Sequence, residues 1–300
     1  MTSKPKPRYR AAIRKAKLMN FLKYVIVYSV LLIPLVPILS MITWLVVQSF
    51  SEGPTSGLIP RGFTLENFRF LWHPIRFGLS EYPNIWPIVG NSLILAVGTV
   101  AFEIPVAALA GYALSRMKFP GRVVTMKLIV ALHAFPGVIL LIALFYILNR
   151  LGLYGKGVLT LIGVALVKAG LGVPMDTWIL KGFFDGIPWE LEWAAMVDGC
   201  SRFQTWRKIL LPIITPGISA VAIFSFMSGW GEFLLAYTYI KRREFYPISV
   251  FLYSVIGEFV FVDWGLLAAV ALFYMMPILV FYALTQKTLL KLQLVGAVKG

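Results

Sequence analysis

Apolar residues crowd into six stretches of the chain, near positions 24–50, 86–114, 123–148, 157–180, 211–240 and 264–286, with short polar segments between them. A helix needs about 20 mostly apolar residues to cross a bilayer. The pattern therefore predicts six membrane-spanning helices. The fourth stretch contains Lys168 and the turn-prone run Gly170-Leu171-Gly172-Val173-Pro174, which predicts a distorted helix there.

Charge orients these spans. The 300 residues include 28 Lys and Arg against 13 Asp and Glu, a net charge of +15, yet only 14% are charged and 59% are hydrophobic. Soluble domains carry about 25% charge, so an ordinary soluble enzyme is excluded, and the apolar surplus excludes disorder. Nineteen cations fall in four segments: the tail up to Lys23, positions 116–127, positions 181–208, and the stretch from Lys287 onward. Eight fall in the alternate loops. Lys and Arg gather on the cytoplasmic side of short loops, which places both termini in the cytoplasm. The basicity is a topology signal and not a nucleic-acid footprint. The expected organisation is a basic tail (1–23), a six-helix membrane domain (24–286) and a second cytoplasmic tail (287–300). The first span is too long for a cleavable signal and lacks its small-residue cleavage site. The single Cys200 excludes a disulfide framework.

Reaction chemistry is missing. The chain has no G-x-x-x-x-G-K-[ST], no H-E-x-x-H, no C-x-x-C and no G-x-G-x-x-G. No catalytic residue, metal site or cofactor site is expected. His133, beside Phe135-Pro136-Gly137, reads as a helix-packing or backbone-satisfying histidine and not as a proton relay. Intramembrane charges mark transport paths or interhelix pairs. Glu103, Lys168 and Glu232 are the candidates, with Asp176 near a span end, and they leave open an ion-coupled secondary transporter.

The segment from Ile187 to Pro212 is the most specific. Pro188 suits a helix start, and Glu190 and Glu192 in the first turn favour the helix dipole. Gly199 suits a left-handed helix stop, and Ser201 with Gln204 forms a capping box for a second helix. Trp189, Trp193, Met196 and Cys200 recur at helical spacing on one face. A helix lying on the bilayer would carry Lys and Arg on its polar face. This one carries Glu190, Glu192 and Asp198, which favours docking into a partner protein.

The same stretch resembles the cytoplasmic E-A-A loop of permease subunits in binding-protein-dependent ABC importers, with Ala194, Ala195, Gly199, Ile209, Leu211 and Pro212 at matching spacing. Asp198-Gly199, Gly182-Phe183-Phe184 and Ile187-Pro188 are similar to the sugar branch of that family. So are Phe63-Thr64-Leu65-Glu66-Asn67-Phe68, Asn91-Ser92-Leu93, Gly111-Tyr112-Ala113-Leu114-Ser115-Arg116 and Glu232-Phe233-Leu234. The ending Gly296-Ala297-Val298-Lys299-Gly300 resembles the tail of six-span maltose-type subunits. Trp193 stands where the family has Glu, with Glu192 one position earlier, and Gly231 stands where Asn often precedes Glu232. Either Glu192 substitutes for the missing carboxylate from a rotated position, or Trp193 fills a hydrophobic cleft.

The resemblance implies an all-α, type I importer-like permease of the cytoplasmic membrane. It implies four kinds of partner: a second permease, two ATP-binding subunits that hold ATP and Mg, an external solute-binding protein, and a maltose- or trehalose-like sugar. Residues 188–212, including Glu190, Glu192, Trp193 and Asp198, would couple to the ATPases, and the tail would touch them. Asn91, Ser92, Glu232 and Tyr237 are the expected pathway-lining polar groups.

Overall fold

The computed structural model describes residues 7–77, 80–82, 84–257 and 263–297. The chain opens with α1 (Pro7–Leu32) and α2 (Leu35–Ser49), which meet at 43° across Ile33-Pro34. Proline supplies no N–H and clashes with the preceding turn, so a bend there is cheap. A short antiparallel hairpin follows, β1 (Ile75–Phe77) and β2 (Ser80–Tyr82), with Ile75 opposite Tyr82. It is an addition to the all-helical pattern that apolar periodicity predicts.

Next come α3 (Trp86–Arg116), α4 (Arg122–His133), α5 (Leu141–Arg150) and α6 (Val158–Asp185). The short helices α7 (Trp189–Val197), α8 (Arg202–Thr205) and α9 (Leu211–Ile213) lead into α10 (Thr215–Trp230). The chain continues through α11 (Leu234–Tyr239), α12 (Ile248–Gly257) and α13 (Trp264–Ala297). Helix α13 thus runs on past Gln286, where the apolar stretch ends. Among the described residues, three helices are long and apolar enough to cross a membrane alone: Trp86–Arg116, Val158–Asp185 and Trp264–Ala283. Three bent pairs bring the spans to six, the second bent by 93° between Arg122–His133 and Gly137–Arg150, the third by 77° between Arg202–Ile213 and Thr215–Trp230.

Two expectations change. The fourth stretch is not distorted: α6 is continuous through Gly170–Pro174. Its glycines serve close packing instead of turning, because a Cβ at Gly172 would collide with the Glu103 carboxylate of α3. Likewise a Cβ at Gly111 of α3 would lie 3.0 Å from the Lys181 backbone nitrogen of α6. The third and fifth stretches are the broken ones. Pro136 interrupts one and Gly231–Phe233 the other, so neither is a single straight rod. His133 ends α4 at that break and is exposed within this chain.

The chain forms two compact units. In the first, residues 1–68 with 263–272, Asn67 Nδ2 donates to the carbonyls of Ser49 and Ser51, both at 3.0 Å, and Trp44 meets Trp264 edge-on. In the second, residues 69–262 with 273–300, α3 packs along α6, and α10 packs on both. Two apolar centres stand out among its described residues. One gathers Leu95, Leu161, Val164, Ala165, Leu235 and Tyr239. The other gathers Ala107, Ala108, Leu180, Phe184, Leu210 and Ile214 and lies beneath the loop between α6 and α10.

Candidate functional site

Local sequence builds the loop between α6 and α10. Pro188 is extended (ψ 140°) and sits at the N-cap of α7, one position before the first helical turn. Gly199 adopts φ +85°, a left-handed conformation that ends the helix, and Cys200 N–H then donates to Ala195 O at 3.0 Å. Ser201 and Gln204 form the reciprocal capping box, Ser201 N–H donating to Gln204 Oε1 at 2.8 Å. Helix α8 passes through a π-helical turn, Trp206–Leu210, into α9. Ile209 and Leu211 are half-buried against the second apolar centre, and Pro212 is exposed.

Helix α7 has an inner and an outer side. Glu192 and Ala195 face inward, each only 3% exposed. Glu192 Oε1 accepts a hydrogen bond from Tyr112 Oη at 2.9 Å, and its Oε2 lies 3.8 Å from Arg116 Nε. Arg116 also donates to the carbonyls of Phe184 and Ile187, and its guanidinium lies 4.4 Å from the centre of the Trp189 ring. Outward stand Trp193 (55% exposed), Val197 (86%), Ala194, Glu190 and Asp198. The rings of Trp189 and Trp193 stack at 6.3 Å. The outer face is thus aromatic and apolar, with acids at its edges.

The expected pathway residues are placed as follows. Asn91 Nδ2 donates to the carbonyls of Glu244 and Tyr246 at 2.9 and 3.1 Å, and Ser92 Oγ accepts from Ile248 N–H at 2.8 Å. Asn91 therefore ties α3 to the loop before α12, and Ser92 ties it to the first residue of α12. Glu232 pairs with Lys168 Nζ at 2.6 Å, and it also accepts from Leu235 N–H at 2.8 Å, capping α11. Tyr237 is exposed beside Phe233 and Tyr253, with ring centres 5.4 and 5.1 Å away. Glu103 lies elsewhere: it accepts from Ser225 Oγ at 2.6 Å and faces Asp176. Among the described residues, no group of acids, histidines and cysteines is arranged to hold a metal.

Residues 103–291 match the family described as binding-protein-dependent transport system inner membrane component. The chain belongs to that family. This permease is 31% identical to the trehalose/maltose transport system permease protein MalG of Thermococcus litoralis, over 86% of this chain and 90% of that one. It is 30% identical to the diacetylchitobiose uptake system permease protein DasC of Streptomyces coelicolor, over 83% and 85%. Its fold matches that of a bacterial ABC transporter involved in alginate import, with a TM-score of 0.69 at 18% identity, covering 95% of this permease and 99% of that chain. It is a multi-pass protein of the cell membrane and a non-catalytic subunit.

For the permease, the loop residues divide between two faces: Glu190, Trp193, Ala194 and Asp198 are exposed, whereas Glu192 and Ala195 are buried and Ile209 and Leu211 are half-buried. Glu192 turns inward and leaves the outer face to Trp193. Periodicity had grouped it with Glu190 and Asp198 on a polar face, because its charge partner, Arg116, is remote in sequence. Tyr112 and Arg116 carry no assigned role in the sequence pattern, although they stand four apart and so share a helix face. Tyr253 likewise emerges only from the fold. Gly296 and Ala297 fall in the last turn of α13, and Val298, Lys299 and Gly300 lie outside the described residues.

Proposed function

We propose that this permease forms one half of a carbohydrate translocation path and couples it to ATP hydrolysis in partner subunits through residues 188–212. A second permease completes the path, and two ATP-binding subunits hold ATP and Mg. An external binding protein delivers an oligosaccharide of the maltose or trehalose kind. The outer face of α7 carries this reading. Trp193, Val197 and Ala194 are exposed on a loop that the charge pattern places in the cytoplasm, where an apolar helix face is stable only against a partner. The loop acts as a lever, and the permease pair is the two-state element it moves. The relatives named for trehalose/maltose and diacetylchitobiose uptake support the sugar class. A solved alginate transporter in complex with an alginate-bound periplasmic protein, matched at TM-score 0.60, supports the binding-protein partner.

The test is uptake into vesicles containing the permease with its partner permease and ATPase subunits, supplied with the binding protein and labelled oligosaccharide. ATP-dependent accumulation is expected. Uptake that survives ATP depletion and collapses with an uncoupler would instead establish an ion-coupled carrier. Mass spectrometry of ligand released from the binding protein should show an oligosaccharide, and an amino acid or inorganic ion would remove the sugar assignment.

A further inference from the structure

Arg116, the last residue of α3, touches three structural elements at once. Its Nη2 donates to Phe184 O and Ile187 O, each at 2.5 Å, carbonyls at the end of α6 and in the link beyond it. Carbonyls at a helix end have no partner within the helix, and a cation there is favoured by the helix dipole. The guanidinium carbon lies over the ring of Trp189, the first residue of α7. Its Nε faces the inward carboxylate of α7, whose other oxygen is held by Tyr112, one turn back on α3. The Arg116 and Glu192 side chains are 2% and 4% exposed. A second set of bonds lies alongside: Ser115 Oγ donates to Asp185 at 2.6 Å, and Lys181 pairs with the same carboxylate.

Only three residues, Gly186 to Pro188, link α6 to α7, and Arg116 fills the corner they turn. Opening this corner would leave a buried guanidinium and a buried carboxylate without their mutual compensation, a state that proteins avoid. Helix α7 therefore has no hinge of its own against α3 and α6. We infer that Arg116, with Tyr112 and Glu192, is a positioning latch that fastens α7 to the ends of α3 and α6, so that force on the outer face of α7 moves those spans directly. The latch stays closed throughout the transport cycle. This inference rests on the coupling role proposed above.

The test is covalent replacement of the latch in the complete reconstituted transporter. In a chain with Cys200→Ser, Arg116→Met removes the buried cation and the pair Tyr112→Cys and Glu192→Cys supplies two thiols, so the latch is gone and no charge is left buried alone. Without a linker, solute moved per ATP hydrolysed is expected to fall about tenfold or more, with ATPase subunits still bound. A bis-thiol linker matched to the two lost side chains should restore the ratio, and cleaving that linker should abolish it again. A merely structural role would not produce a ratio that follows the linker. An unlinked variant that transports at the parental ratio overturns the latch, as does a linked one that hydrolyses ATP without recovering transport. If the parent chain itself takes up no solute with ATP, the coupling role fails first, which separates the two outcomes.

Discussion

Tyr112 and Glu192 stand 80 positions apart in the chain and share a hydrogen bond of 2.9 Å. Successive helical residues point about 100° apart, so fixing Glu192 inward turns Trp193 out to solvent. One internal bond thus decides which chemistry the loop shows to the cytoplasm.

Breaking that arrangement should cost stability before it costs anything else. Arg116→Met leaves the Glu192 carboxylate buried without its counter-charge, a loss of about 3–5 kcal/mol. Tyr112→Phe removes one hydrogen bond to a charged acceptor, about 1.5–3 kcal/mol. Thermal unfolding of the detergent-solubilised assembly should rank them in that order. Equal midpoints for Arg116→Met and the parent would mean the pair contributes nothing.

Trp193 should behave in the opposite way. It is 55% exposed, so Trp193→Ala should shift the stability of the isolated chain by no more than about 0.5 kcal/mol. Binding of the ATPase subunits should weaken by about 2 kcal/mol or more, as for an aromatic anchor. Trp193→Glu should weaken it further. Pull-down of ATPase subunits across a concentration series measures both, and a Glu variant that binds better would show that the receiving cleft is basic.

At Gly199 the backbone itself sets the order of variants. With φ at +85°, Asn should be tolerated best and Ala less well, at a cost of about 1–2 kcal/mol. Pro, whose φ is locked negative, should abolish uptake. Transport normalised to the amount of chain in the membrane should follow Gly, Asn, Ala, Pro, with solute capture by the external protein unchanged.

The Lys168–Glu232 pair gives a rescue experiment. Lys168→Met alone leaves a carboxylate that is only 7% exposed without its cation and should lower the yield of folded protein. Adding Glu232→Gln removes the charge while keeping an amide oxygen for Leu235 N–H, so the double variant should recover most of that yield. Size-exclusion chromatography of the parent, the Lys168→Met variant and the double variant decides. A double variant worse than Lys168→Met would assign Glu232 a role beyond pairing and capping.

What could be read from the sequence was local. Pro188, Gly199 and the Ser201–Gln204 box act within a few residues of where they stand, so the helix–turn–helix of the loop was legible. The inner partners were not, because Arg116 meets Glu192 only once α3 and α6 have packed. Apolar periodicity located the spans but is blind to bends, since a helix broken at Pro136 has the same composition as a straight one. It also misjudged Gly170–Pro174, where glycine made room for Glu103 and did not make a turn. Asn91 and Ser92 are pathway candidates by type, and their hydrogen bonds to the backbone of residues 244–248 could not be read, because those partners lie more than 150 positions away.

The 93° bend between α4 and α5 bears on how this permease survives its own synthesis. At 1.5 Å per residue the 12 residues of α4 and 10 of α5 reach about 18 and 15 Å, against about 30 Å of hydrocarbon. Neither half crosses alone, no residue of α4 is buried by the rest of the chain, and the irregular backbone between them tolerates lipid only under cover of protein or water. A copy inserted without a neighbour over that bend is the less stable one. If the second permease proposed above is that neighbour, membrane quality control would remove unassembled copies first.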